Sequence, residues 1–217
     1  MPRKPPSARN ATAFGAWLVR ALPEPRSETR REVLAHALHL FNERGIEATK
    51  IEDLRRASGQ SIGSIYHHFG NKEGVAAALF FAAFDDLSAA IAARLDGATG
   101  SRACIAALVT AYAEWVSLLP GPAHYLFLAR ETVARGPQGP ALEARLEARY
   151  RPIDERLAED ARLGVLRELP EDLIPALVLG STESYCRGWL VGRRRASPAA
   201  HAPLLAEAAW RAIASDA

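Results

Sequence analysis

The spacing of the apolar residues constrains the fold of this sequence more than any other feature. Apolar residues recur at the three- and four-residue intervals of an α-helix almost throughout the 217 residues, and runs with the period-two alternation of β-strands are missing. This pattern predicts an all-α protein. The length suits either one domain or a small head on a larger body, and the helix boundaries favour the second arrangement.

Three short helices are predicted in the N-terminal third, because the residues between them are typical of helix ends and corners. The first ends at Gly45, the second covers residues 51–57, and Ser61 caps the third. The stretch Thr49–Glu52 fits a capping box for the second helix. Gly59 supplies the positive φ angle that a tight corner between helices two and three requires. Three helices with this corner predict a helix-turn-helix unit.

The third helix has two chemically different faces. At 100° per residue, Ile65 and Phe69 share the face that packs on the first two helices, whereas Gly63, Ser64 and His67 point outward. A small, polar outward face lets the backbone approach the major groove of DNA. An ordinary solvated helix surface has the same composition, so the pattern alone leaves both interpretations open.

Two residues flank the outward face of the third helix. Ile62 is either a core residue or an apolar contact to a thymine methyl group, and Tyr66 can bury its ring while its hydroxyl reaches a phosphate. No Lys or Arg occurs between Ser61 and Gly70, so this helix cannot supply the bidentate arginine–guanine contact. Base readout from it should therefore be modest.

Residues 29–80 resemble the DNA-binding domain of the TetR family, and the stretch Ser61–Gly74 matches the family signature almost residue for residue. The resemblance implies a ligand-responsive transcriptional repressor that binds a palindromic double-stranded DNA operator as a homodimer. It also implies that some positions face DNA and that those of Thr49 and Lys72 hold phosphates. The predicted DNA-binding residues are Thr49, Ser61, Ile62, Gly63, Ser64, Tyr66, His67 and Lys72.

The charge distribution is consistent with a DNA-binding head, although proteins that never bind nucleic acid show similar asymmetry. Residues 1–72 contain 12 Lys/Arg against 7 Asp/Glu, and residues 73–217 contain 15 against 18. Phosphate contacts should supply much of the affinity. The candidate basic residues are Arg30, Arg31, Lys50, Arg55, Arg56, Lys72 and the arm residues Arg3, Lys4 and Arg9.

The remaining helices form the predicted body. Helix four is expected to run to Asp96 and to be the only firm link between head and body. Helix six is expected to begin at Ala123 after a break at residues 120–122, Pro152 to kink helix seven, and helix eight to continue to about Arg195.

Aromatic and polar residues on helices five, six and eight suggest a ligand pocket in the body, with filling of the core as the alternative. The chemical identity of the ligand cannot be read from the sequence. The candidate pocket residues are Tyr112, Trp115, Tyr125, Arg130, Tyr185 and Trp189.

Helix eight and the last helix are predicted to build the dimer interface. Small residues such as Gly180, Gly188 and Gly192 allow another helix to approach closely, and two such helices per subunit make a four-helix bundle across a twofold axis. The run Arg193–Arg195 either complements the dipole at the end of helix eight or contacts nucleic acid.

The sequence gives no sign of catalysis. His67 and His68 are adjacent and point about 100° apart, so they cannot easily share a metal ion. Cys104 and Cys186 have no partner at metal or redox spacing, and no Gly-rich phosphate loop occurs. We therefore predict no enzyme activity, cofactor or metal. An all-α enzyme or carrier would leave the third helix idle, and an architectural DNA-binding protein would lack the pocket.

Residues 1–26 are predicted to be a mostly disordered basic arm, residues 27–73 the DNA-binding domain and residues 74–217 the ligand-sensing and dimerisation domain. As an alternative for part of the arm, an amphipathic segment around Trp17 forms a short docked helix. The N-terminus lacks a cleavable signal, and no run approaches the roughly 20 apolar residues of a membrane span. The sequence thus predicts a soluble cytoplasmic protein.

Overall fold

The structure is a computed structural model that describes residues 17–22 and 28–215. The structure is 81% helical, and no β-strand occurs within those ranges, which confirms the all-α prediction. Short 3-10 turns, Glu171–Leu173 and Pro198–His201, precede the last two helices. In chain order the helices are α1 (Glu28–Arg44), α2 (Ile51–Ser58), α3 (Ile62–Phe69), α4 (Lys72–Leu95), α5 (Gly100–Leu118), α6 (Pro120–Arg135), α7 (Gly139–Arg162), α8 (Ile174–Leu190) and α9 (Ala202–Ile213).

The chain forms two compact units. The first contains the described residues up to Asp86 together with Gly121–Gln138, and the second contains Leu87–Pro120 and the described residues from Gly139 onward. The boundary falls inside α4, so the units do not coincide with the sequence-based division at residue 74. Helix α6 lies in the same unit as α1–α3.

The core of the first unit is built on the apolar stripe of α1. Val33, Leu34 and Phe41 are fully buried, as are Leu54 of α2 and Ile65 of α3. Because these positions recur at helical spacing, one face of each helix turns inward and the three helices share a core. Burial of a large aliphatic or aromatic side chain contributes about 1.5–3 kcal/mol, so this stripe holds the first three helices together.

The start of α2 differs from the predicted capping box. Thr49 is fully buried, and its hydroxyl donates to the carbonyl oxygen of Gly45 at 2.8 Å. The N-cap is Lys50, whose backbone N–H donates to the carboxylate of Asp53 at 3.0 Å. The predicted pairing of Thr49 with Glu52 is therefore wrong by one position, because the Thr49 hydroxyl closes the α1–α2 corner instead.

Residues 17–21 are helical and belong to the first unit. Trp17 and Leu18 are buried, the guanidinium of Arg20 binds the carboxylate of Asp86 at 3.0 Å, and Arg31 donates to the carbonyl oxygen of Leu22 at 2.7 Å. This part of the N-terminal segment therefore has the docked arrangement that was the alternative to disorder. Phe14 and the basic residues Arg3, Lys4 and Arg9 lie outside the described residues.

Helix α6 is tied to α1 by a polar network. The side chain of Asn42 donates to the carbonyl oxygen of Gly121 at 3.0 Å, and Nδ1 of His124 donates to the Asn42 side-chain oxygen at 3.0 Å. The fully buried Tyr125 stacks on Phe41 and donates its hydroxyl to the backbone at 2.9 Å. Helix α6 was predicted to belong to the body, so the expectation that α4 is the only firm link between head and body is wrong.

The second unit packs α5 against α7, α8 and α9. Buried residues occur along most of α5, including Ile105, Leu108 and Val116. The carboxylate of Asp160 on α7 accepts a hydrogen bond from the backbone N–H of Ser101 at 2.8 Å, which satisfies a free donor at the start of α5. These contacts fix the start of α5 to the last turn of α7.

Two helix boundaries differ from the sequence-based expectation. Helix α6 begins at Pro120 rather than Ala123, since proline is well tolerated in a first helical turn. Helix α8 ends at Leu190 rather than Arg195, because Gly192 adopts a φ of 80° and the N–H of Arg193 donates to Gly188 at 2.8 Å. This is a Schellman termination.

Helix α4 is long and apolar enough, by length and composition, to cross a membrane, and half of its most apolar stretch is buried in the structure. The expectation that no run approaches this composition is therefore wrong. A core helix of a soluble protein has the same length and apolar composition, because both kinds of helix must be apolar over several turns.

Candidate nucleic-acid interface

The corner between α2 and α3 has the geometry that its glycine predicts. Gly59 ends α2 with a φ of 71°, and its N–H donates to the carbonyl oxygen of Arg55 at 3.0 Å. The side-chain amide of Gln60 donates to the carboxylate of Glu32 on α1 at 2.7 Å. The corner is therefore fixed both by its backbone and by a side-chain bond to α1.

Helix α3 begins at a capped end and is anchored by one buried residue. The N–H of Ser64 donates to the Ser61 hydroxyl at 3.0 Å, which satisfies one of the free donors of the first turn. Ile65 is fully buried, and the guanidinium of Arg30 lies 5.7 Å from the ring centre of the half-buried Phe69. These contacts determine which face of α3 points to solvent.

The outward face of α3 is small and polar near its N-terminus. Gly63 and His67 are exposed, Ser64 is half-buried, and 46% of the Tyr66 surface is exposed. No acidic side chain occurs between Ser61 and Gly70 to repel a phosphate. Ile62 is half-buried, so its core and DNA-contact interpretations both remain open.

The entry into α4 is a tight corner that requires glycine. The side-chain oxygen of Asn71 accepts a hydrogen bond from the N–H of Gly74 at 2.7 Å, and a Cβ added at Gly74 would meet the carbonyl oxygen of Phe69 at 1.9 Å. Lys72 is half-buried, and its ammonium donates to the carbonyl oxygen of Glu47 at 3.2 Å. A protein carbonyl supplies only one acceptor for the three N–H donors of a lysine.

The predicted phosphate-binding Lys and Arg residues of α1 and α2 divide into two groups. Arg30 and Arg31 make the contacts with Phe69 and with the N-terminal segment described above. Lys50, Arg55 and Arg56 are exposed on α2 and at its start.

The rings of His67 and His68 meet edge to face at 5.3 Å, and within the described ranges no three His, Cys, Asp or Glu residues are placed to hold a metal ion.

Residues 33–79, which include α2, the glycine corner and α3, match the family model described as bacterial regulatory proteins, tetR family. The HTH-type transcriptional repressor KstR2 of Rhodococcus jostii is 39% identical over 85 residues. Over residues 33–79 the chain therefore matches the TetR family. The KstR2 match covers 39% of this chain and 42% of the relative, so the chain spans less than half the length of the curated relatives it matches.

Solved structures of TetR-family proteins extend the fold comparison beyond the DNA-binding helices. A TetR family transcription regulator from Marinobacter aquaeolei has a TM-score of 0.75 at 18% identity, with coverage of 89% of this chain and 100% of that one. KstR2 of Mycobacterium tuberculosis, described as a ketosteroid transcriptional regulator, has a TM-score of 0.70 at 22% identity, with 86% and 95% covered. These likenesses show that the rest of the chain has the TetR-family fold.

The six predicted pocket residues are divided between the two units, with Tyr125 and Arg130 in the first. Tyr125 is a core residue, as described above, and Arg130 is exposed. In the second unit Tyr112 and Trp115 are buried on α5, Trp189 is half-buried, and the Tyr185 hydroxyl donates to the carbonyl oxygen of Ala196 at 3.2 Å.

The second unit contains a cavity of about 230 Å³ between α5, α7 and α8, which we term the α5–α7–α8 cavity. None of the six predicted pocket residues lines it. Sequence reasoning missed it because its lining is mostly aliphatic and has the pattern of an ordinary helix core. The lining residues are Ile105, Leu108, Leu146, Glu147, Tyr150, Ile153, Asp154, Leu157, Ile174, Pro175, Val178 and Leu179.

Proposed function

We propose that this TetR-family chain is a sequence-specific DNA-binding transcriptional repressor that responds to a small molecule. The observation that carries the proposal is the acid-free outward face of α3, held in place by the buried Ile65 and by the glycine corner. A helix with this shape can enter a major groove at its N-terminal end. Two relatives that match part of the chain, KstR2 of Rhodococcus jostii and AcnR of Corynebacterium glutamicum, are named as transcriptional repressors.

The proposed contacts follow the exposure of each residue. Exposed and half-exposed side chains on α3 face the bases and nearby phosphates, and Lys72 binds a phosphate. Thr49 acts through the α1–α2 corner, because its buried hydroxyl is already bonded to Gly45. The residues proposed to contact DNA directly are Ser61, Ile62, Gly63, Ser64, Tyr66, His67 and Lys72.

Phosphate contacts supply a large part of the affinity in this proposal. Because α3 carries no Lys or Arg, bidentate readout of guanine is not available from it. The exposed Lys50, Arg55 and Arg56 lie on the element just before α3 and neutralise phosphates beside the groove. Affinity should therefore depend strongly on salt, with sequence preference set by few base contacts and by DNA shape.

Dimerisation is proposed to occur through α8 and α9. Leu204 on α9 is 72% exposed, and Leu173 and Val191, which flank the two ends of α8, are 40% and 57% exposed. Exposed apolar surface of this kind is typical of a region that packs against another chain. A twofold dimer places two copies of α3 in successive major grooves about 34–36 Å apart, which predicts a palindromic operator.

The proposal places the protein in the cytoplasm, where bacterial chromosomal DNA is accessible to it, and assigns it no catalytic role. The test is a footprint of the purified full chain on the DNA that flanks its own gene. A protected palindrome is expected, and His67→Ala should weaken protection. His39→Ala is the matched control, because His39 is exposed on α1 and pairs with Glu43 at 3.5 Å. Absence of any protected site would contradict the proposal.

A further inference from the structure

The α5–α7–α8 cavity has an apolar floor and an opening to solvent. Ile105, Leu108 and Val178 are at most 3% exposed and form part of its floor, whereas Pro175 at its edge is exposed. The volume of about 230 Å³ lies below the roughly 300–1,000 Å³ typical of pockets for drug-sized ligands. The cavity therefore suits a small ligand with a hydrocarbon portion.

The polar groups at the cavity lie on one face of α7. Glu147, Tyr150 and Asp154 line it and are spaced three and four residues apart, so they are neighbours on the helix surface. The Glu147 carboxylate already binds Arg151 at 2.8 Å, and the Arg149 guanidinium lies 5.9 Å from the ring centre of Tyr150. Glu147 and Tyr150 therefore each have an arginine neighbour already.

Asp154 differs from these two residues. Within the part of the chain that the structure describes, its carboxylate has no hydrogen bond and no ion pair, and it faces the carboxylate of Glu171. Partial burial at the edge of the cavity, and then the negative charge of Glu171, raise the pKa of Asp154. Glu171 and Asp172 also precede the first turn of α8 and offset the positive end of its dipole. The edge of the cavity thus carries the negative charge of Asp154, with which no described Lys or Arg forms an ion pair.

We propose that the α5–α7–α8 cavity binds a small apolar amine, with its hydrocarbon portion on the aliphatic floor and its ammonium group at the Asp154 carboxylate. The apolar floor favours desolvation of the hydrocarbon, and the unpaired carboxylate selects a cation over an anion of the same size. The role of the amine as an effector rests on the proposed function, whereas binding of an amine in this cavity does not depend on it.

The test is titration calorimetry of the full chain with hexylamine, hexan-1-ol and hexanoate at neutral pH and constant ionic strength. These probes have the same hydrocarbon portion and differ in charge. Hexylamine should bind at least about tenfold more tightly than hexanol, because a hydrogen bond to a charged group is worth about 1.5–3 kcal/mol. Hexanoate should bind least. Equal affinities, or a preference for hexanoate, would overturn the proposal.

Two variants locate the binding. Asp154→Asn should lower hexylamine affinity about tenfold and leave hexanol affinity unchanged. Glu155→Gln is the matched control, because Glu155 is the next residue on α7, is exposed and does not line the cavity. Val178→Phe should fill the cavity and abolish binding of hexylamine and hexanol. Because Asp154 is exposed, its substitution tests the site even if Val178→Phe does not fold.

Retention of the amine preference in Asp154→Asn, or of hexylamine binding in a folded Val178→Phe variant, would overturn the assignment of this site. Operator binding is measured separately, with no amine present. Failure of the unliganded chain to bind DNA contradicts the proposed function but leaves the amine titration interpretable. Failure of hexylamine to bind contradicts only the inference about the cavity.

Discussion

Replacement of Gly63 by alanine should change stability and DNA affinity in opposite directions. Gly63 is the second residue of α3, is exposed, and a Cβ built there meets only the Ser61 hydroxyl oxygen, at 3.9 Å. The fold therefore has room for the methyl group. Because alanine has a higher helix propensity than glycine, Gly63→Ala should raise the free energy of unfolding by about 0.5–1 kcal/mol.

The same methyl group should weaken DNA binding, because the proposal places the Gly63 backbone against the floor of the major groove. Forcing an extra methyl into a close-packed contact costs about 1–3 kcal/mol, which corresponds to roughly a 5- to 150-fold loss of affinity. Urea unfolding measures the first quantity and fluorescence anisotropy on the operator measures the second. Unchanged operator affinity would refute the placement of this face against DNA.

Gly74→Ala is the matched substitution at a position where the fold itself requires glycine. Its Cβ would lie 1.9 Å from the carbonyl oxygen of Phe69, so the corner between α3 and α4 would have to move. A loss of about 3 kcal/mol in the free energy of unfolding is expected. Destabilisation by Gly63→Ala as large as that by Gly74→Ala would show that the fold requires glycine at both positions and would contradict the assignment of Gly63 to an open face.

Three further results are expected. Lys72→Ala should weaken all operator sequences about equally and reduce the salt dependence of binding by roughly one ion, as measured by anisotropy over a salt series; a changed sequence preference would instead make Lys72 a base contact. Trp17→Ala should lower the free energy of unfolding by about 3–5 kcal/mol in urea, because Trp17 is fully buried; a loss below about 1 kcal/mol would mean that the segment does not dock. Burial lowers the pKa of His124 below its ordinary value of 6.5, so its contribution to the free energy of unfolding should be complete above pH 6.5 and be lost as the pH falls below it. The loss should be smaller in His124→Gln. Equal pH profiles of the melting temperature in the two proteins would contradict the role of His124.

The helix-turn-helix was predictable because its determinants are local in sequence. Gly45, Gly59 and Ser61 act within a few residues of themselves, and each adopts the expected cap or left-handed conformation. The exception is Thr49, whose hydroxyl bonds back to Gly45 and so leaves the N-cap of α2 to Lys50, with Asp53 accepting from the Lys50 N–H. A threonine before a helix satisfies either pattern, and only the path of the corner decides between them.

The end of α8 was missed because a glycine has several uses. Gly192 was interpreted as a small residue for close helix packing, whereas its positive φ ends the helix and directs Arg193 back to Gly188. Pro120 was likewise interpreted as a helix breaker, although a proline in a first turn removes an N–H that has no partner there. In both cases the residue marks a boundary correctly but leaves its position uncertain by several residues.

The cavity could not be predicted because it arises from three helices that are distant in sequence. Its floor residues on α5 and α8 have the same periodicity as the buried face of any core helix. The ligand pocket was predicted instead at aromatic residues such as Tyr125. Tyr125 packs on Phe41 and bonds to the backbone with its hydroxyl, so it serves the core of the first unit. The difference between a filled and an unfilled core depends on tertiary packing, which one sequence does not encode locally.

If two copies of α3 read one palindromic operator, tight binding by the full chain must require both half-sites. The measurement compares the affinity of the full chain for the protected palindrome and for a duplex in which one half is scrambled, with the stoichiometry determined by sedimentation. We expect two protein chains on the palindrome and a loss of affinity of at least about a hundredfold on the half-site, because one head then makes only non-specific contacts. Equal affinity for the two duplexes, or one chain bound to the palindrome, would contradict it.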